Sequence, residues 1–165
     1  MASELGRLIA VLRLLHEVLG VASLESGDPA TTCSLDEYSM RHSHQAELLI
    51  DHLPRRDGVE RAALIDLGSL LGLDDVLRAR FSAPELLLAA HEEVVLPWLV
   101  RNVDRMIAQT SDAAERSLRR SLRFVAADLS AGPASWRQGD VLPGPGSLLD
   151  PMAELSAVLS RGEFD

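Results

Sequence analysis

Apolar residues recur along this chain at steps of three and four over four long stretches. That is the spacing of a buried face on an α-helix. The longest stretch covers residues 83–109. Ala89, Glu93, Leu96, Val100, Val103 and Ile107 form one stripe on it, and Leu88, Glu92, Val95, Leu99 and Met106 form a second beside it. A helix apolar over so wide an arc needs cover on several sides, as in the middle of a bundle. Ser82 stands as its N-cap with Glu85 three residues on, the spacing of a capping box. Pro97 has no N–H, so the carbonyl of Glu93 loses its helical partner and a kink is expected. The acid and the kink fall one turn apart.

The other three stretches are residues 3–24, 35–53 and 112–131. In the first, Leu5, Ile9, Leu12, His16 and Leu19 share a face, so His16 occupies a core position. Ser26-Gly27-Asp28-Pro29 breaks the chain after it. The second opens on Ser34 with Glu37 in capping-box register, puts Tyr38, His42, Gln45, Leu49 and Leu53 inward, and stops at Pro54. The fourth begins at Asp112 with Glu115 as its capping-box partner. Ala114, Leu118, Ser121, Val125 and Asp128 mark one side, and Arg116, Arg119, Arg120 and Arg123 turn to solvent.

Residues 55–81 read as a connection with one short helix, Val59 to about Leu67, interrupted afterwards by Gly68, Gly72 and Asp74-Asp75. A connection of this length lets the second and third helices run parallel. Beyond Gly132-Pro133 a C-terminal extension, 132–165, carries a Pro/Gly loop at 139–146 and a short last helix from Asp150. The fold expected is therefore all-α: one domain over 1–165, built as a four-helix bundle with a long crossover between helices two and three.

Composition narrows the function classes. Apolar residues make up 47% of the chain and aromatics only 4%, so Leu, Ala and Val fill the core. A net charge of −9 argues against nucleic acid, which needs concentrated positive charge. All 16 basic residues are Arg, and Asn102 is the only Asn, a bias that fits a high-GC bacterial genome. Cys33 is alone, so no intramolecular disulfide forms and a reducing cytoplasm is the expected location. The N-terminal stretch carries Glu4, Arg7, Arg13, His16 and Glu17, and reads as neither a signal peptide nor a membrane span.

There is no Gly-rich phosphate loop, no Gly-x-Ser-x-Gly elbow, no Cys pair and no His-Glu-x-x-His. Cys33 lies in an expected loop without a base beside it, so it reads as a bystander thiol. What remains is one polar residue at a core position on each bundle helix: His16, His42, Glu93 and Asp128. At ~1.5 Å per residue, antiparallel packing brings His16 and His42 within roughly 3 Å of one level. Glu93 joins them if helices two and three are parallel, and Asp128 lies about 6 Å beyond. His16, His42 and Glu93 are thus the candidate ligand-binding layer, with Asp128 added if the layer is a metal site. The plainer alternative is a buried cluster whose members only satisfy one another's hydrogen bonds. His44-x-x-Glu47 has metal-ligand spacing but points largely outward, and Trp98 and Trp136 read as packing anchors.

The run His42-Ser43-His44-Gln45-Ala46-Glu47-Leu48, with His52-Leu53-Pro54, resembles ferritin-like proteins of high-GC, actinobacterial-type bacteria. So do Val94-Val95-Leu96-Pro97-Trp98-Leu99 and Ser121 to Asp128. The resemblance covers residues 1 to about 140. It implies a ferritin-like bundle, which in that superfamily often holds two irons through two carboxylates and two Glu-x-x-His pairs. None of the five His here follows an acidic residue at that spacing, so the di-iron motif is not matched. The reading favoured is a binding or accessory module with a buried polar pocket, taking a small molecule and needing no cofactor. The alternative is a metal-dependent oxidoreductase using iron or manganese on a non-standard His/carboxylate set. A homodimer is expected through the over-apolar third helix, with neither nucleic acid nor membrane as partner.

Overall fold

The computed structural model describes residues 2–55, 61–65, 71–111, 115–131 and 149–161, and every regular element among them is helical. The first helix, α1 (Ala2–Glu25), matches its expected span. Leu5, Leu8, Ile9, Ala10, Leu12, Leu15 and Leu19 are all buried, so α1 is covered on most of its circumference. Gly6 permits part of that cover. A Cβ there would lie 1.9 Å from the carbonyl oxygen of Leu64, so only glycine lets the 3₁₀ turn Arg61–Leu64 rest on α1.

The second helix, α2 (Pro29–Ile50), starts six residues before the expected Leu35. Its cap is Asp28, whose carboxylate accepts from Thr31 N–H and Thr31 Oγ1, both at 2.8 Å. Pro29 supplies the first helical position, where its missing N–H is no loss. The Ser34–Glu37 box is not used: Ser34 is buried inside the helix and Glu37 pairs with Arg41 one turn on. The stretch 26–29 therefore combines a break with a start signal.

The connection also departs from expectation. Of the short helix expected over Val59–Leu67, the described part is the 3₁₀ turn, and residues 56–60 and 66–70 lie outside the description. Leu71–Arg80 forms a helix, α3, through the Gly72 and Asp74-Asp75 that were expected to interrupt it. Asp74 sits in the first turn, where the helix dipole favours an acid, and pairs with Arg78 at 2.6 Å. Leu73, Val76 and Leu77 are buried beneath.

The long third helix divides into α4 (Pro84–Ala90), a π turn (His91–Val95) and α5 (Leu96–Gln109). Ala83, with no side-chain bond, caps it in place of Ser82. The fourth, α6 (Arg116–Ser130), begins after the expected Asp112, which is outside the described residues. Glu115 still reaches back, accepting from Ser111 N–H at 3.1 Å. A last helix, α7 (Leu149–Arg161), buries Leu155 and Leu159 and packs on α3 and the π turn.

Two bonds set the direction of α6 against α2: Gln45 to Asp128 and His52 to Ser121. One partner rises as the other falls, so the two helices are antiparallel. The large hydrophobics exposed among the described residues are Val21, Leu24, Met40 and Phe124, none of them on the third helix. The third helix packs on α1, α2, α6 and α7, and its Leu86, Leu88, Val94, Leu96, Val100 and Ile107 are half-buried. No helix among the described residues is long and apolar enough to cross a membrane.

Candidate functional site

Pro97 shapes the site. In a regular helix its ring would press on the carbonyl four residues back, that of Glu93. The turn before it widens instead, and Leu96 N–H bonds to His91 O, five residues back. One extra residue in a turn shifts helical phase by about 100°. Upstream residues are therefore rotated relative to the continuous stripe read from the sequence. His91 is buried at 1% exposure, Glu92 is half-buried and Glu93 is exposed. Glu93 is thus not a member of a buried layer, and His91 takes the inward place.

Opposite it, α2 presents Tyr38, His42 and Gln45 from one buried face. His42 Nε2 lies 2.8 Å from His91 Nε2, His42 Nδ1 lies 3.0 Å from Gln45 Oε1, and Gln45 Nε2 donates to Asp128 Oδ2 at 2.6 Å. The protons along this chain can be assigned from one end. A carboxylate only accepts, so Gln45 turns its NH₂ to Asp128 and its carbonyl to His42. His42 Nδ1 then carries a proton and donates. With His42 neutral, its Nε2 is a bare acceptor, so His91 Nε2–H donates to it. His91 Nδ1 is left with a lone pair, buried and with no hydrogen-bond partner among the described residues. Each donor in the row is polarised toward Asp128, which enriches the electron density at His91 Nδ1.

Both rings are neutral at ordinary pH. Burial lowers His42 to about 4, against upward pulls from the Gln45 bond and the Asp128 charge and further lowering by Arg41 and His16. Burial also holds His91 well below its usual value, and protonation of His42 would lower it further. Tyr38 roofs the pair, its ring centroid 4.3 Å from that of His91 and its hydroxyl donating to Glu92 Oε1 at 3.1 Å.

The expected members are dispersed or changed. His16 is half-buried and turned to α2, where Nδ1 meets Ser39 O at 3.1 Å and Ser39 Oγ at 2.9 Å. It is satisfied there by Ser39, not by another member of the expected layer. Asp128 is half-buried and reaches His42 only through Gln45. His44 and Glu47 are exposed, as is Cys33. Trp98 is buried as a packing residue, and Trp136 lies outside the described residues. The members missed were His91, Gln45, Tyr38 and Glu92. The usable signal was Pro97, if its effect is read as an extra residue in the turn rather than as a bend.

The donor set does not fit the iron or manganese site considered from sequence. Among the described residues, no group of three or more His, Cys, Asp or Glu is placed to hold a metal ion. The two facing nitrogens share a proton, and the nearest carboxylate of the row is separated from them by an amide. No family model, curated protein or solved structure matches the chain.

Proposed function

We propose that the chain is a ferritin-like four-helix bundle, with a crossover from α2 to the α4–α5 helix, serving as a binding or accessory module. Its site is the buried His42–His91 pair. The atom that meets the ligand is His91 Nδ1. A single observation carries this reading: an imidazole lone pair at 1% exposure, unpartnered among the described residues, on a π turn that interrupts the helix. Buried polar groups are ordinarily bonded, and π turns gather at functional sites. The row of donors runs toward Asp128, so the free end accepts. The ligand is accordingly a small hydrogen-bond donor such as an amide, a phenol or an amine. Absence of the di-iron spacing supports a role other than ferroxidase.

The test is side-chain ¹⁵N NMR of the histidines during titration with acetamide, phenol and methylammonium. At least one should shift His91 Nδ1 saturably in the native chain and leave the His91→Phe variant silent. No shift at millimolar probe would remove the reading. Near-stoichiometric iron or manganese in protein purified without a His-tag would replace it with the metal-dependent oxidoreductase.

A further inference from the structure

The last turns of α1 carry two of the four large hydrophobics exposed among the described residues. Leu24 is 88% exposed and Val21 48%. They are three residues apart, so they lie on one side of the helix. Beside them is an open groove of about 220 Å³, walled by separate elements. Val21 and Ala22 of α1 stand on one side, and Leu77 of α3 with Phe81 and Leu87 on the other. All of these but Val21 are buried, so the floor is apolar and held by the core.

The size of the groove selects its occupant. Small-molecule sites begin at roughly 300 Å³. Truncating one large core side chain leaves roughly 150 Å³. The groove is therefore suited to a protruding aliphatic side chain. Its rim adds charge of both signs, Glu25 and Arg78. Glu25 is exposed in the last turn of α1, which holds no basic residue, so its carboxylate stands at the negative end of the helix dipole. It joins no ion pair among the described residues. Arg78 gives only Nε to Asp74, and the other N–H groups of its guanidinium remain for a second carboxylate. A cation brought to Glu25 would answer both the acid and the helix end.

Knob, groove, acid and base thus share one face and complement one another. We propose that two copies of this chain pair here about a two-fold axis. Leu24 of each copy enters the groove of the other, and Glu25 of each meets Arg78 of the other. Such a contact closes at two copies and does not propagate. It uses the end of α1 rather than the apolar stripes of α5, and it is independent of the His42–His91 pair.

Sedimentation equilibrium of the full chain across the micromolar range tests the proposal. The native chain should form a dimer that dissociates on dilution. Leu24→Asp should weaken it at least tenfold, with an unchanged circular dichroism spectrum because the side chain is exposed. Met40→Asp and Phe124→Asp, at the other exposed apolar positions, should leave the dimer intact. Glu25→Arg and Arg78→Glu should each be monomeric alone, and an equimolar mixture of the two should form a heterodimer, since every rim contact then joins opposite charges again. A native chain that stays monomeric would overturn the proposal. So would a dimer that survives Leu24→Asp, a dimer dissolved by Phe124→Asp, or a mixture that fails to associate.

Discussion

His91 Nε2 lies 2.8 Å from His42 Nε2, and this bond joins the third helix to the second inside the core. Both rings are 1% exposed. Neither could be replaced alone by a hydrocarbon without stranding a polar atom on the other. His42→Leu and His91→Leu should therefore each cost ~1–3 kcal/mol, and the double variant should cost less than their sum. Urea unfolding of the four proteins measures the cycle. Strict additivity would mean the two rings do not interact.

Stability should rise with pH across the weakly acidic range. His42 has an ordinary value of 6.5 and stands at about 4 in the fold. Between those values the unfolded chain takes up a proton that the folded chain refuses. The stabilisation is complete above about 6.5 and lost as pH falls toward about 4. Its size is on the order of 3 kcal/mol, with His91 acting in the same direction. Denaturant midpoints at pH 7 and pH 5 should differ accordingly, and His42→Gln should flatten the slope.

Glu93 should tolerate replacement. It is exposed, so Glu93→Gln and Glu93→Leu should each fall within about 0.5 kcal/mol of the native stability. A loss well beyond that for Leu alone would show a buried carboxylate and return Glu93 to the core.

The contact at Gly6 should be intolerant. A methyl group would collide with the Leu64 carbonyl, and neither backbone can yield cheaply. Gly6→Ala should lose ~1–3 kcal/mol, although alanine favours a helix interior. Calorimetry showing a gain would mean that the 3₁₀ turn does not rest on α1.

The start of α2 can be located by its cap. Asp28→Ala removes the acceptor of the Thr31 N–H and should lower the melting temperature. The Thr31 backbone bond, the largest contributor, also draws the Asp28 carboxyl below its usual value of 3.8, followed by the Thr31 hydroxyl. Loss of the cap should be visible as faster amide exchange over residues 30–33. Unchanged exchange there would return the start to Ser34.

The sequence by itself determined that the chain is helical and where most long helices lie. Heptad-like runs such as Leu5, Leu8, Leu12, Leu15 and Leu19 fix a buried face whatever surrounds them, because the apolar side chains have one energetically acceptable direction. It also placed His42 and Gln45 inward, since both lie on the face that carries Leu49. It did not place α3, where short-range breakers outweighed three apolar residues that gain value only by packing on distant helices. Tertiary structure decided the site. A periodic reading assumes a constant turn, and Pro97 breaks that assumption: the turn widens by one residue, turning Glu93 out and His91 in. Which ring His91 then meets, and which of its nitrogens is left without a proton to share, depends on Gln45 and Asp128 arriving from two other helices. No local pattern encodes that meeting, because hydrogen bonds between helices depend on axial level and rotation, which only the packed core fixes.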